Sequence, residues 1–378
     1  MFFKKTYQTL NLIKINKERL LNNFSFFQSI SGSKVCPVLK SNAYGHGLKL
    51  VGKFVDQEIK PEFVCVDSLF EAYELKKSGV KTKVLVMGYT FPENFKFRKI
   101  DFHLPVYDLQ TLGFLNHFQP GVSVHLKIDT GMNRLGIKED ELEFFVKKLK
   151  KIKPLRVKIV GIYSHLSSAD DPKKDKITLR QIEKFKKVVS FLESEGFEFK
   201  YKHIQATAGL TRFPDSYFNL ARIGLGFYGI SPFSDGSGED LYLRGNLKPA
   251  LTFITHLCQI KKVRKGETVG YNQKFRVPRE MVIGIMPLGY YDGLNRKLSN
   301  KGKVKIKNVF CPIIGNVCMN LSMVDISEVR NPIVGQEVVV FDDCPDSLCF
   351  VKKHSLICGT IPYELLVNLA ESTRRVLV

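Results

Sequence analysis

The sequence predicts an α/β protein with an N-terminal (β/α)8 TIM-like barrel over residues 13–240 and a C-terminal mainly-β domain over residues 245–378. Three observations support this prediction. From about residue 13 to residue 230, eight short apolar runs alternate with helical patterns, as strands alternate with helices in a barrel. Polar residues follow nearly every run. A polar stretch rich in Gly and Ser then leads to segments in which apolar and polar residues alternate.

The elements of the barrel follow one another in a regular order. The first helix begins after Asn16, a good N-cap, and places Phe24 and Phe27 on one stripe. Ser68 and Glu71 have the spacing of a capping box, which begins another helix. The eight runs are VCPVL at 35–39, FVCV at 63–66, KVLVM at 83–87, FHLPV at 102–106, SVHLKI at 123–128, VKIVGIY at 157–163, YKHIQA at 201–206 and ARIGLGFYG at 221–229.

A doubly wound sheet is the alternative arrangement of such alternating elements. It concentrates ligand-binding residues at one strand crossover, whereas a barrel draws them from the carboxyl ends of many strands. In this sequence notable polar residues lie at the ends of nearly every run, which favours the barrel. They are Lys40, Asp67, Lys127, Asp129, His165, Thr207 and Arg222.

The second domain follows the polar stretch SPFSDGSGED at residues 231–240. Segments such as LTFITHL, KVKIK and EVVVF alternate apolar and polar residues, which predicts an all-β domain from about residue 245 to residue 362. A helical pattern follows from Pro362 to the end. Residues 1–12 are a candidate addition to this domain.

The composition argues against several classes of protein. With 44% hydrophobic and 25% charged residues, the chain has the balance of a soluble globular protein. The formal charge of +21 is typical of proteins that bind nucleic acid. However, the lysines are spread along the chain and no recognised binding motif accompanies them, so we expect no nucleic-acid partner.

The cysteines and the N-terminal segment indicate a cytoplasmic protein. The eight cysteines include no C-x-x-C pair, which argues against a zinc site or a redox dithiol. The segment MFFKKTYQTLNLIKINK has basic residues but lacks the apolar core of a signal peptide. No apolar segment has the length of a membrane span. We therefore expect neither a metal nor a membrane partner.

The stretch PVLKSNAYGHG, residues 37–47, ends an apolar run in a lysine. In a barrel, Lys40 lies at the carboxyl end of the first strand, which is the active-site face. Removal of its amine from water would favour the neutral form, which can form an imine with an aldehyde. Taken alone, the pattern also fits a lysine whose stem covers apolar surface while its charge reaches solvent.

The run ARIGLGFYG contains Gly224, Gly226 and Gly229 in a G-x-G-x-x-G pattern. The loops after the seventh and eighth strands of a barrel commonly bind phosphate through backbone N–H groups, and glycines permit that close approach. The alternative is that these glycines only relieve packing at a turn.

Eight segments of the chain together resemble the alanine racemase family, enzymes of fold-type III that depend on pyridoxal 5′-phosphate (PLP). They occur in the family's order and at its usual separations over essentially the whole chain. The resemblance implies racemisation of L-alanine and D-alanine, which supplies D-alanine for the peptidoglycan of the cell wall. The segments are VLKSNAYGHG, HLKIDTGMNRLG, GIYSHLSSAD, ARIGLGFYG, VGYNQKF, GYYDGLNRKLSNKG, IGNVCMNLSMVDI and TIPYE.

The resemblance implies a catalytic or cofactor-binding role for each matching residue. Lys40 holds PLP and is the base on one face of the α-carbon, and Tyr271 of the partner subunit is the base on the opposite face. Arg222 donates a hydrogen bond to the pyridine nitrogen, with His165 beside it. Arg134 binds the cofactor phenolate and the side of the substrate carboxylate.

The remaining implied roles concern the phosphate, the substrate and one modified lysine. Lys127 matches a lysine that many members carry as a carbamate, an anion able to orient Arg134; a plain lysine in a salt bridge is the alternative. The N–H of Met319 of the partner subunit binds the substrate carboxylate, and Tyr290 narrows the substrate entrance. Sites shared in this way imply a homodimer. The phosphate contacts are Tyr44, Thr207, the backbone at Gly224 and Leu225, and Tyr363.

The sequence departs from the family pattern at four positions. Asn320 replaces the usual Asp and Asn316 replaces a common Arg, which alters the charge where the substrate carboxylate is recognised. Ala206 replaces a common Asn and Thr207 a common Ser, whose hydroxyl is retained. Two alternatives stay open: a racemase for serine or for a broad range of amino acids, and a noncatalytic PLP-binding protein.

Overall fold

The computed structural model describes residues 8–215 and 217–378. They form two compact units, one made of residues 8–20, 44–50 and 248–378, and the other of residues 21–43 and 51–247 apart from residue 216. The heptapeptide MFFKKTY, part of both the candidate addition 1–12 and the segment searched for a signal peptide, lies outside the described residues. Among those that are described, no helix is both long and apolar enough to cross a membrane.

The strands and helices are numbered separately along the chain. The strands are β1 (Leu12–Ile15), β2 (Lys34–Pro37), β3 (Val64–Val66), β4 (Val84–Val86), β5 (Leu104–Val106), β6 (Ser123–Lys127), β7 (Lys158–Tyr163), β8 (Tyr201–His203), β9 (Leu220–Ile223), β10 (Leu251–His256), β11 (Gln259–Val263), β12 (Thr268–Val269), β13 (Phe275–Arg276), β14 (Met281–Met286), β15 (Lys303–Ile306), β16 (Val309–Ile314), β17 (Ser322–Asp325), β18 (Glu337–Phe341) and β19 (Arg374–Leu377). The helices are α1 (Lys17–Ser31), α2 (Lys40–Tyr44), α3 (Leu48–Phe54), α4 (Leu69–Lys77), α5 (Leu109–Phe118), α6 (Leu142–Leu149), α7 (Asp175–Ser194), α8 (Thr207–Arg212), α9 (Gly238–Asn246), α10 (Val351–Cys358) and α11 (Pro362–Val367).

Strands β2 to β9 form a closed parallel barrel. Ladders join β2 to β9, β3 to β4, and β5 through β8 in sequence order. Isolated parallel bridges connect β2 to β3 and β4 to β5. The N–H of Arg222 donates to the carbonyl of Gln205, which connects β9 to the end of β8. The predicted barrel is confirmed.

The barrel strands are apolar because both of their faces are covered. Strands β3, β4, β5 and β9 are buried at every position. Parallel strands between a packed interior and surrounding helices lose the alternation of a half-exposed strand and appear as continuous apolar runs. Each of the eight runs identified in the sequence overlaps one of the strands β2 to β9.

The helix α4 begins as its capping residues predict, with one difference. The Ser68 hydroxyl accepts a hydrogen bond of 3.2 Å from the N–H of Glu71. In a capping box the Glu71 carboxylate would return to the N–H of Ser68. It instead accepts from the N–H groups of Asp67 and Ser41. The carboxylate therefore connects α4 to the segment that follows β2.

The other unit is built on a nine-stranded sheet in the order β11-β14-β17-β16-β15-β18-β10-β1-β19. In β1 buried and partly exposed residues alternate, as they do in a strand with one covered face. The same alternation occurs in β15 and β17. Strands β12 and β13 form a separate antiparallel pair. The predicted mainly-β domain is confirmed.

The helical pattern predicted from Pro362 to the end is only partly correct. Helix α11 ends at Val367, and the last segment forms β19, which pairs in parallel with β1. Without β19, one edge of β1 would carry unpaired N–H and C=O groups. Pairing with a strand more than 350 residues away therefore overrides the local pattern. Helix α10 also lies within the stretch predicted to be all-β.

Candidate active site at the carboxyl end of the barrel

Lys40 lies after β2, at the carboxyl end of a barrel strand, and begins a left-handed turn. The four residues after it all have φ between 50° and 55°. This conformation costs about 1–2 kcal/mol for each residue that carries a Cβ. The N–H of Leu39 donates to the carbonyl of Cys65 at 2.7 Å, and that of Ala43 donates to Leu39 at 2.8 Å. The backbone that directs Lys40 is thus held by its surroundings.

Arg222 is a buried cation on β9. Its Nη2 donates to the carbonyl of Ser164 at 2.7 Å and lies 3.4 Å from Nδ1 of His165. Its Nη1 lies 2.5 Å from Nδ1 of His203. No carboxylate within the described ranges, 8–215 and 217–378, forms a salt bridge with it. Its hydrogen-bonding partners are instead a backbone carbonyl and imidazole nitrogens.

Three histidines continue from Arg222 through the barrel interior. His203 Nε2 lies 2.9 Å from His125 Nδ1, and His125 Nε2 lies 3.0 Å from His103 Nδ1. Because a guanidinium only donates, Nδ1 of His203 is an acceptor and its proton is on Nε2. The same argument then places the proton of His125 on Nε2. The order of donors is set by Arg222.

Burial keeps these imidazoles neutral. It lowers the pKa of His203 and of His125 well below 6.5, with nearby cationic or imidazole groups adding to the effect. For His103, burial and then the charge of Lys83 lower the pKa to about 4. The chain of hydrogen bonds can therefore support the charge of Arg222 without adding positive charge.

A glycine opposite the middle histidine makes room for this chain. Gly161 on β7 is the register partner of His125 on β6. A Cβ at Gly161 would collide with the His125 ring. The ring of His125 also stacks on that of Tyr201, with centroids 5.6 Å apart. The run VKIVGIY therefore has a glycine at position 161 because the ring of His125 occupies the space that a side chain there would need.

Lys127 lies at the end of β6 and is buried. Its amine donates to the carbonyl of Met87 at 3.4 Å and lies 5.5 Å from the centroid of the Tyr163 ring. Burial, followed by the charges of Arg134 and Arg222, lowers its pKa to about 8. The part of the chain that the structure describes offers it no carboxylate at salt-bridge distance.

Arg134 is exposed on the loop that follows β6. Asp129 organises this loop, because its Oδ1 accepts from the N–H groups of Gly131 at 2.9 Å and Asn133 at 3.1 Å. Gly136 has a φ of 145°, and a Cβ there would collide with the backbone of Asp129. The motif HLKIDTGMNRLG therefore encodes a tight loop that carries one arginine.

His165 is surrounded by the cations of the site. Burial, followed by the charges of Arg222, Arg134, Lys40 and Lys127 in that order, lowers its pKa to about 3. These five side chains were predicted from different segments of the sequence, and they lie close enough to influence one another electrostatically. Together they make the mouth of the barrel strongly positive, a setting that suits an anionic ligand.

Thr207, Gly224 and Leu225 lie around the ends of β8 and β9. The hydroxyl of Thr207 accepts from the N–H of Gly226 at 3.4 Å. A Cβ at Gly226 would come within 2.6 Å of both the Thr207 methyl and the Phe27 ring, so glycine is required there. Ala206, which precedes α8, provides no side-chain cap. Gly224 precedes a 3-10 helix whose first N–H groups have no partner within the helix.

The remaining predicted residues lie in the unit with the nine-stranded sheet. The rings of Tyr44 and Tyr363 have centroids 5.9 Å apart. Tyr290 is 44% exposed and Met319 is 55% exposed, and Asn320 is also exposed. The N–H of Tyr290 donates to Cys318 at 2.9 Å, so the loops that carry Tyr290 and Met319 are joined.

Tyr271 is 71% exposed and begins a short 3-10 helix after Gly270, whose φ is 76°. The side-chain amide of Asn316 donates to the carbonyl of Tyr271 at 3.0 Å. A Cβ at Gly270 would lie 3.4 Å from the backbone nitrogen of Asn316. The residue that departs from the family pattern at 316 thus contacts the segment of Tyr271.

His103, His125, His203 and Glu71 belong to the site but are not predicted by the sequence motifs described above. A signal for the histidines was present, because one histidine interrupts each of the apolar runs FHLPV, SVHLKI and YKHIQA. A polar residue repeated inside buried strands indicates a buried hydrogen-bond network. Glu71 was identified only by its spacing from Ser68, which could not show that its carboxylate reaches Ser41.

Comparison with known proteins identifies two matching family models. The model "Alanine racemase, N-terminal domain" matches residues 15–232. The model "Alanine racemase, C-terminal domain" matches residues 250–377. Together they account for nearly the whole chain.

Individual relatives match over nearly their full length. Alanine racemases of Carboxydothermus hydrogenoformans and Fusobacterium nucleatum are each 34% identical over 97% of this chain, and the matches cover 98% and 99% of those proteins. The solved alanine racemase of Clostridium difficile 630 has a TM-score of 0.89 at 28% identity, with 99% of this chain and 97% of that chain covered. An alanine racemase of Bacillus anthracis with bound L-Ala-P has a TM-score of 0.87 at 27% identity, with 99% and 96% covered.

Proposed function

This chain belongs to the alanine racemase family, and on that premise we propose how its own residues carry out the reaction. It is an isomerase that interconverts L-alanine and D-alanine and depends on PLP. The observation that best supports the proposed site is the convergence of Lys40, Lys127, Arg134 and Arg222 on His165 at the carboxyl end of the barrel.

The chemistry of these side chains fits PLP. The cofactor carries a phosphate, a phenolate oxygen and a pyridine nitrogen that accepts a hydrogen bond. The site offers cationic donors for the oxygens and a buried guanidinium for the nitrogen. When bound, the cofactor withdraws electrons from the α-carbon of the substrate and so makes its proton easier to remove.

We propose that Lys40 and Tyr271 move protons on opposite faces of the α-carbon. The Lys40 amine would hold the cofactor and would accept or return a proton on one face of the α-carbon. Tyr271 of the partner subunit does the same on the other face. The exposure of Tyr271 within a single chain supports a role that is completed by a second copy. One group on each face allows a proton lost from one side to be replaced from the other.

Arg222 is proposed to donate to the pyridine nitrogen without giving up its proton. With this donor the ring of the bound cofactor would withdraw less charge from the α-carbon, which would disfavour transamination and decarboxylation. Neutral His165 and His203 contact Arg222 and leave it as the charged donor. Their low pKa values support this assignment.

Lys127 is proposed to carry a carbamate that orients Arg134. Its neutral amine adds to carbon dioxide, and the nitrogen loses one proton to give an anion. The lowered pKa, about 8, supports this reaction because it raises the neutral fraction near physiological pH. Arg134 would then face the phenolate and the substrate carboxylate as a fixed donor.

The phosphate and substrate contacts are also proposals. We propose that the Thr207 hydroxyl and the N–H groups at Gly224 and Leu225, which lie around the ends of β8 and β9, bind the phosphate. Met319 of the partner subunit would bind the substrate carboxylate through its N–H. The other proposed contacts are Tyr44 and Tyr363 with the phosphate and Tyr290 at the substrate entrance.

We further propose a cytoplasmic homodimer that supplies D-alanine for peptidoglycan. In this assembly the barrel predicted over 13–240 binds the cofactor, and the domain predicted over 245–378 contributes to the partner's site. The cysteines are free thiols, and buried Cys36 lies within hydrogen-bond distance of Cys65, which fits a reducing compartment.

The test follows both racemisation and the attachment site. Protein and PLP are incubated with L-alanine in deuterated water while optical rotation and α-deuterium are measured, with L-serine in parallel. We expect loss of rotation with deuterium incorporation for alanine. Borohydride reduction and peptide mapping should place the pyridoxyl label on Lys40. Unchanged rotation, or a label at any other residue, would contradict the proposal.

A further inference from the structure

We propose that Glu71 is a positioning residue for Lys40: its carboxylate holds the left-handed turn that follows Lys40 against the end of β3. The inference rests on the proposed role of Lys40 and assigns Glu71 a function beyond starting α4. Glu71 does not lie on the strand that carries Lys40, and its effect is transmitted through the backbone.

The two carboxylate oxygens of Glu71 have different partners. Oε1 accepts from the N–H of Ser41, directly after Lys40, at 2.6 Å. Oε2 accepts from the N–H of Asp67, directly after β3, at 2.8 Å. These distances are typical of charge-assisted hydrogen bonds. One side chain therefore ties together the ends of two neighbouring barrel strands.

The two hydrogen bonds of Glu71 lie directly beyond the last backbone pairing between the segment that follows β2 and the end of β3. The N–H of Leu39 donates to the carbonyl of Cys65, which is the last backbone bond between β2 and the end of β3 in this region. The N–H groups of Ser41 and Asp67 are both donors, so they cannot pair with each other. A carboxylate is the side-chain group that accepts from both.

The turn needs such support because its backbone is unfavourable. Four consecutive residues, from Ser41 to Tyr44, have positive φ, and none of them is glycine. Residues in this region persist only where the surroundings hold them. If the turn relaxed, the first atoms to move would be those of Lys40, whose Cα immediately precedes it. The stored strain thus makes the direction of Lys40 depend on Glu71.

Both bonds of Glu71 need an oxygen acceptor, so the test variant is one that keeps the size of the side chain and replaces one of its oxygens. In Glu71→Gln the side chain keeps its size, but one of its two oxygens becomes an NH2 donor that faces a backbone N–H. Ser68→Ala is the matched control. It removes the N-cap of the same helix and lowers stability, but leaves both bonds of Glu71 to Ser41 and Asp67 in place.

The first measurement uses hydrogen exchange of cofactor-free protein, so it does not depend on activity. In the parent, we expect the amides of Ser41 and Asp67 to be protected. Glu71→Gln should lose protection at one or both amides by at least about tenfold, whereas Ser68→Ala should lose it only at the start of α4. Equal protection in the parent and Glu71→Gln would overturn the proposal.

The second measurement is the rate at which PLP labels Lys40, trapped with borohydride and mapped by peptide. Glu71→Gln should react at least about tenfold more slowly than the parent and Ser68→Ala, because a displaced amine is less often in the reactive geometry. Its kcat should fall more than its KM changes. An unchanged labelling rate in Glu71→Gln would sink the proposal, but would leave the assignment of Lys40 intact. A parent labelled elsewhere would instead contradict the proposed function.

A rescue experiment covers the case in which Glu71→Gln folds poorly. Ser41→Gly removes the cost of positive φ at the first residue of the turn, since glycine adopts this region freely. In the Ser41→Gly background the Glu71→Gln defect in labelling should shrink by at least about threefold. If Glu71→Gln slows labelling by the same factor with and without Ser41→Gly, Glu71 does not act through the turn, and the proposal is overturned.

Discussion

The Nη1 atom of Arg222 lies 2.5 Å from Nδ1 of His203, deep inside the barrel. The contact joins a buried cation to a neutral imidazole, and His125 and His103 extend the chain. Arg222, the proposed donor to the cofactor nitrogen, is thus hydrogen-bonded on its inner side to neutral imidazoles. Hydrogen bonds to neutral acceptors, and not a salt bridge to a carboxylate, stabilise the charge of Arg222.

Replacing His203 should lower the stability of the protein, because Arg222 then loses a hydrogen-bond acceptor. In His203→Leu the Nη1 group of Arg222 stays buried and loses its acceptor. We expect the free energy of unfolding of cofactor-free protein to fall by about 2–3 kcal/mol in urea titrations. The control is His117→Leu, on the exposed face of α5, which should change it by less than about 0.5 kcal/mol. A similar effect of both variants would contradict the assignment.

The buried histidines also predict how stability depends on pH. The pKa of His103 is lowered to about 4 and that of His165 to about 3, from 6.5. Below pH 6.5 the unfolded chain therefore binds more protons than the folded protein, and the folded protein loses stability as the pH falls. Urea titrations of cofactor-free protein should give a lower free energy of unfolding at about pH 5 than at about pH 7.

The pH effect should depend on particular histidines. His103→Gln removes one titrating group and should make the dependence between about pH 7 and pH 5 less steep. His117→Gln is the exposed control. A free energy of unfolding that stays constant over this range in the parent would show that the imidazoles are not kept neutral.

Lys40→Ala and Tyr271→Phe should complement each other when mixed. Each homodimer alone lacks one of the two proton-transfer groups and should be inactive in racemisation, although Tyr271→Phe should keep PLP and exchange the α-proton on one face. After subunit exchange, half of the dimers combine both variants and contain one intact site. Racemisation should then recover to about a quarter of the parent rate. Mixtures without activity would argue against sites shared between subunits.

Asn316 should help to hold Tyr271 in place. Its amide donates to the Tyr271 carbonyl at 3.0 Å, beside residues with positive φ. In Asn316→Ala we expect kcat to fall by about three- to tenfold while the dissociation constant of PLP stays the same. Asn331→Ala, on another exposed turn, is the control and should match the parent. Loss of PLP affinity in Asn316→Ala would contradict a role limited to Tyr271.

Lys127 should form a carbamate in the parent but not in Lys127→Arg, because a guanidinium stays protonated. With 13C-labelled bicarbonate, we expect one carbamate signal by NMR in the parent. The signal should grow from about pH 7 to about pH 8.5, since the pKa of about 8 governs the neutral amine. A parent spectrum identical to that of Lys127→Arg would rule out the modification.

Much of the fold is encoded in local patterns of the sequence. Strands covered on both faces must be apolar throughout, so the eight runs could be recognised one by one. The N-caps Asn16 and Ser68 act on N–H groups only a few residues away, and the structure has both bonds. The family motifs likewise consist of short segments, and from them the cofactor and the reaction could be inferred.

The tertiary structure decided what depends on residues far apart in the chain. His125 and His203 are 78 residues apart and meet only because β6 and β8 both line the barrel interior. Strand β19 forms against the helical pattern because β1 offers it a partner. The spacing of Ser68 and Glu71 predicts a capping box. In the structure the Glu71 carboxylate instead accepts hydrogen bonds from Ser41, 30 residues away, and from Asp67, 4 residues away. Local periodicity records which face of an element is buried, whereas hydrogen bonds between distant segments depend on where closure of the barrel brings them.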